Sequence, residues 1–214
     1  EMKAQEFVGF VSALAKNNKR PYIFKMLPYI MQSLDSYSLG KLVMIVNCLD
    51  GLGIKSDELA LKTKDYLMSN QGVEKLRAVE YSQILSFFSG YPQIEDPEFF
   101  KKMEKRAQLV SEMCDLNSFI MIIEALESFE KKPMGKGFYK NIEKRFNDLA
   151  SDLSDEMMYK LFMDFCSLGC TTFVMCSKVS SEAIIRSERF SQTMMVNIFI
   201  NLSKNKRLTL SLLR

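Results

Sequence analysis

The sequence predicts an all-α fold, a right-handed α-solenoid of five full helix-turn-helix repeats and a partial sixth, and three observations carry that prediction. Apolar anchors recur at Leu14, Leu49, Phe88, Leu126, Phe165 and Leu202, with spacings of 35, 39, 38, 39 and 37 residues. Seven, four and three residues before each anchor stand apolar side chains, from Phe7, Phe10 and Val11 in the first unit to Met195, Ile198 and Phe199 in the last. Those eighteen positions define one stripe of a 3.6-period helix and are expected to be buried. The third observation is a duplication in polar as well as apolar residues: Phe99-Phe100-Lys101-Lys102-Met103-Glu104-Lys105-Arg106 returns 39 residues later as Phe138-Tyr139-Lys140-Asn141-Ile142-Glu143-Lys144-Arg145. A fixed period of roughly 38 residues implies stacked helical pairs, because one pair cannot bury its own apolar face.

Each repeat reads as helix A, a turn, helix B and a connection, over approximately 4–36, 37–70, 78–114, 115–152, 153–189 and a partial 190–214, in one domain. Ser38, Asp96, Asp115, Ser154 and Ser191 stand where an N-cap acceptor is needed, and Asp96-Pro97-Glu98 adds first-turn proline and an acid at the positive end of the dipole. Gly53, Gly90 and Gly169 follow A helices, where left-handed C-caps favour glycine. Pro21, Pro92 and Pro133 fall in A-to-B turns, and Phe24, Leu59, Phe99 and Phe138 open the B helices. The stretch from Asn70 to Val79 lengthens one connection and has room for an extra helical turn.

Composition excludes more than it assigns. At 47% hydrophobic and 26% charged, the chain has material for a continuous core. Its longest apolar runs are too short to span a bilayer, so no membrane insertion is expected. It starts at Glu1, with no initiator methionine or basic-plus-apolar leader, and stops inside a repeat, which reads as part of something longer. There is no histidine, which removes the commonest general base and zinc ligand, and no phosphate-cradling glycine loop. No enzyme activity, cofactor or metal is expected. Cys166, Cys170 and Cys176 lack a zinc spacing, and all five cysteines read as small buried hydrophobes. Fifteen methionines read as packing residues of the helix interfaces.

What remains is surface. On A helices, positions two before, five before and two after the anchor point about 150° to 220° away from the buried stripe. They hold mainly small, amide or hydroxyl residues, among them Asn47, Gln83, Ser86 and Asn197, with Lys160 and few other charges. In-register small polar groups suit base-edge contacts to single-stranded nucleic acid, one repeat at a time. They equally suit a peptide groove or a neighbouring subunit, to which Met44, Met121, Met163 and Ile200 would contribute.

Net charge is only +3, but the ends are basic. Residues 1–34 carry five Lys/Arg against two Asp/Glu, and residues 178–214 seven against two. Lys16, Lys19 and Arg20, with Lys204, Lys206 and Arg207, occupy the same A-to-B turn in the first and last repeats, and Lys131 and Lys132 that of the fourth. Along one edge of a solenoid these form a discontinuous basic rim for phosphates, interrupted by the acidic turn at Glu95-Asp96. The alternative is a set of solvated faces with no common role.

The unit near 38 residues, with its Leu/Phe anchor and an aromatic residue or leucine opening helix B, resembles the octotricopeptide and heptatricopeptide repeats, although no RAP domain is visible within these 214 residues. The resemblance covers nearly the whole chain and rests on apolar patterns. It implies an organellar location, mitochondrial or else plastid, and binding of single-stranded or ribosomal RNA, within a ribonucleoprotein such as the mitochondrial ribosome or an RNA-maturation complex. Related solenoids also serve as scaffolds, docking neighbouring protein subunits of a large assembly without touching RNA.

Overall fold

The computed structural model describes residues 4–69, 71–94, 96–129 and 135–204. Every regular element among them is helical, in the expected A, turn, B order. The chain divides into two compact units, Glu1–Lys131 and Lys132–Arg214. In the first unit, the A helices are α1 (Ala4–Lys16), α3 (Leu39–Gly51), α6 (Ala78–Ser89) and α8 (Leu116–Ser128), and the B helices are α2 (Arg20–Gln32), α4 (Asp57–Ser69) and α7 (Pro97–Val110). The extra turn in the long connection is α5 (Gly72–Lys75). It follows Gln71 in a left-handed conformation, and Gly72 lies so close to Leu67 that a Cβ would meet the Leu67 Cα at 3.1 Å. In the second unit, α10 (Asp155–Ser167) and α12 (Gln192–Lys204) are A helices, and α9 (Lys136–Leu149) and α11 (Phe173–Ile185) are B helices.

The apolar stripe is the core. Helix α3 packs between α1 and α6, α6 packs on α8, and in the second unit α10 packs on α12. Five of the six anchors are buried: Leu49, Phe88, Leu126, Phe165 and Leu202. Fourteen of the eighteen flanking positions are buried as well. The exceptions are confined to the first and last A helices. Phe10 is 45% exposed, and Phe7, Leu14, Met195 and Phe199 are half-buried. Their counterparts in α3, such as Ile45, are covered from two sides, whereas α1 packs on one A helix only, as does α12 within its unit.

The first B helix also departs from the expected register. Ile23, Leu27 and Ile30 are buried, matching Leu59, Thr63 and Tyr66 one repeat later, so Phe24 aligns with Ala60 and is 47% exposed. The equivalent openers Leu59, Phe99 and Phe138 are fully buried.

Capping follows the sequence with two corrections. Asp96 accepts from the amides of Glu98 and Phe99, both at 3.0 Å. Asp115 accepts from Ser118, Ser154 from Met157 and Ser191 from Met194. Ser38 has the extended backbone of an N-cap, but its hydroxyl makes no cap hydrogen bond. Gly53 and Gly169 adopt φ of 62° and 61°, as a left-handed C-cap requires. Gly90 does not, with φ of −79°. Its missing side chain instead admits the Lys55 Nζ, which a Cβ would approach to 2.7 Å.

Asp96 also joins two B helices, accepting from the Lys64 ammonium of α4 at 2.9 Å. Amide donors, Phe99 foremost, and then Lys64 hold its carboxyl below the usual carboxylate range. A depressed folded-state value means stability present above the unfolded value, near pH 4, and lost as pH falls through the folded value. Asp96→Ala is expected to cost ~1 kcal/mol near pH 7. In urea unfolding the gap to the parent protein should narrow below about pH 4; a gap constant down to pH 3 would contradict this assignment.

Neighbouring repeats are tied by cations donating to carbonyls. Arg20 Nη2 donates to Gly53 O at 2.8 Å, and Lys55 Nζ donates to Gly90 O at 3.1 Å, each reaching from one A-to-B turn to the next. At the B-to-A connections the direction reverses: Arg106 Nε donates to Leu76 O at 2.7 Å. Arg186, only 4% exposed, donates to the carbonyls of Ala150, Ser151 and Leu153 after α9. Carbonyls left without partners where a helix ends are thereby satisfied from the adjacent repeat.

Candidate nucleic-acid interface

In the first unit, α1, α3, α6 and α8 present a row of outward positions: Gly9 and Ser12, Met44 and Asn47, Gln83 and Ser86, Met121 and Glu124. None is buried, as 3.6-residue periodicity requires of the side opposite the core. Asn47 is exposed, and neither its amide nor that of Gln83 has an internal hydrogen-bonding partner among the described residues. Gln83 lines an open groove between α3 and α6, with Lys41, Met44, Arg77, Val79 and Glu80. Arg77 and Glu80 pair at 2.8 Å in its wall, and the Arg77 guanidinium holds the Glu80 carboxyl low.

Other predicted contacts are engaged in the fold. The Ser86 hydroxyl donates to Asp50 at 3.4 Å, bridging α6 to α3. Burial pushes the Asp50 carboxyl up, opposed by the Lys55 ammonium and by Ser86. In the second unit, the Asn197 amide donates to the Tyr159 hydroxyl at 2.7 Å, and Asn201 donates to the Met163 sulfur, linking α12 to α10. Lys160 and Ile200 are exposed on that face, with Lys204 exposed at the end of α12.

The first basic turn has a double character. Asn17 donates its side-chain amide to Ala13 O, and Asn18 adopts φ of 50°, so the asparagines end α1. Lys16 and Lys19 are exposed and make no ion pair among the described residues. Arg20 is exposed too, but its guanidinium is committed to Gly53 O and lies 6.0 Å from the Phe24 ring centroid. The acceptor for Arg20 lies 33 residues downstream, which no local pattern reveals. Lys131, Lys132, Lys206, Arg207, Glu95 and Pro133 lie outside the described residues.

Burial, with Cys176 nearby, pushes the Cys166 thiol up to about 12, so it is protonated and unreactive at neutral pH. Cys114 and Cys176 are buried. Among the described residues no three His, Cys, Asp or Glu side chains are grouped to hold a metal ion. No described helix is long and apolar enough to cross a membrane.

No known family's sequence profile matches the chain, and no curated protein is significantly similar to it.

Proposed function

We propose that the chain is a non-catalytic helical-repeat module that binds single-stranded RNA through the outward face of its A helices, as part of a mitochondrial ribonucleoprotein. The observation that carries the reading is the pair of uncommitted amides, Asn47 and Gln83, on adjacent A helices, with uncommitted Lys16 and Lys19 in the basic turn of the same unit. Amides in register offer both donor and acceptor to base edges, and flanking lysines neutralise phosphate. The mitochondrial setting comes from the octotricopeptide and heptatricopeptide resemblance alone.

A second reading, a scaffold that docks neighbouring protein subunits, draws support from Met44 on α3 of the first unit and Ile200 on α12 of the second, which are 49% and 44% exposed. Salt separates the two. RNA binding through Lys16, Lys19 and Lys204 should weaken with salt by about 0.7 of log–log slope per phosphate neutralised. Docking through methionine and isoleucine should be nearly salt-independent. Titration with labelled single-stranded RNA at two salt concentrations tests this. Charge reversal at Lys16 and Lys19 should lower both affinity and slope, and no binding at low salt would favour the scaffold.

A further inference from the structure

The first B helix carries a surface outside the A-helix row. Tyr22 and Tyr29 on α2 are 61% and 64% exposed. Seven residues apart, they lie on one helix face, two turns or about 10 Å from each other, with Lys25 between them on the same stripe. Neither hydroxyl has a hydrogen-bonding partner among the described residues, and Lys25 makes no ion pair there.

These tyrosines are not core residues left uncovered. In the register set by buried Ile23, Leu59 and Phe99, the place of Tyr22 is held by Glu58 in α4 and Glu98 in α7. The place of Tyr29 is held by Asp65 and Lys105. Where α4 and α7 turn charge to water, α2 turns two rings. The positions that a stacked helix covers are different ones, those of Phe10 and Phe24.

Along this stretch of the chain the charge has one sign. From Phe7 to Leu34 the chain has four cations, Lys16, Lys19, Arg20 and Lys25, and no carboxylate side chain. Rings interleaved with cations match a polyanion that also carries flat π faces, as the bases and phosphates of a single strand do. An acidic peptide would satisfy the cations and leave the rings in water.

We propose that the outer face of α2 is a stacking platform for single-stranded RNA, with Tyr22 and Tyr29 as the stacking rings and Lys19 and Lys25 as phosphate contacts. It rests on the reading of the chain as an RNA-binding module and adds a second contact surface, one that tolerates sequence because every base has a π face.

The test uses the full chain, a fluorescent oligouridylate of about twelve nucleotides, and two double variants, Tyr22→Ala/Tyr29→Ala and Tyr22→Phe/Tyr29→Phe. Both positions are exposed, so the folded state should survive, which far-UV circular dichroism verifies. The alanine pair should weaken binding by about tenfold per ring with an unchanged salt slope, because no cation is removed. The phenylalanine pair should bind like the parent, since stacking needs the ring and not the hydroxyl. Parent-like binding by the alanine pair would overturn the platform and leave the A-helix reading standing. No RNA binding by the parent chain at low salt would overturn both. If RNA binding is untouched but a concentration-dependent dimer disappears, the face belongs to a second copy of the chain and the platform is refuted.

Discussion

Replacing Arg186 with alanine is expected to destabilise the second unit by ~3–5 kcal/mol, because a buried pair broken from one side leaves its partners uncompensated. Arg186 Nε donates to Glu182 at 2.9 Å and Nη1 to Asp155 at 3.1 Å, and the guanidinium also satisfies three carbonyls at the end of α9. Burial alone would raise the Glu182 carboxyl. Lys178 and Arg186 more than offset it, so it lies below its ordinary value. Without Arg186, Glu182 keeps only the Lys178 ammonium and the Ser151 hydroxyl, and the α9 carbonyls lose their donor. Arg186→Lys should recover only part of the loss, since an ammonium cannot reach several carbonyls in one plane. Urea unfolding and hydrogen exchange report this, with protection falling in α9, α10 and α11. A cost below about 1 kcal/mol would mean that water replaces the guanidinium at little penalty.

Truncating Phe88 to alanine is expected to cost ~3–5 kcal/mol through the cavity it leaves. Phe88 is 1% exposed, and its ring packs edge-on against Phe87 and Phe99, centroids 5.2 and 4.8 Å away. It thus joins an A helix to the B helix of the same repeat. Phe10→Ala makes the informative comparison. Pattern alone gives Phe10 the same stripe, yet its exposure should hold the cost below about 1 kcal/mol. Equal losses for the two would mean that the first pair is packed like the interior pairs.

That comparison marks where sequence reading works. The stripes of α3 and α6, such as Tyr81, Ile84, Leu85 and Phe88, were legible because each has an A helix on either side to enforce the period. At α1 and α12 the same letters meet a neighbour on one side only, so periodicity overstates burial. In α2 a one-residue shift in alignment, 36 rather than 35 residues, decides whether Ile23 or Phe24 is core. The turn at Asp96 was readable because cap, proline and acid are local. The ties made by Arg20, Lys55 and Arg186 were not, because each spans about one repeat and reads as ordinary surface charge.

The candidate interface was legible in outline. The periodicity that buries Ile84 turns Gln83 and Ser86 outward. Nothing in it says that Ser86 and Asn197 meet partners on the neighbouring A helix while Asn47 does not. Tyr22 and Tyr29 were hidden by the same shift of alignment, which concealed that charged residues hold their places in α4 and α7.

Photo-crosslinking tests the proposed function most directly. A single-stranded RNA containing 4-thiouridine would be irradiated with the full chain at low salt and the attached peptides identified by mass spectrometry. The expected result is attachment within α3, α6 and the turn from Lys16 to Arg20, competed by unlabelled RNA and suppressed by salt. No attachment, or attachment spread evenly over the surface and indifferent to competitor, would contradict RNA binding and leave protein docking as the use of this face.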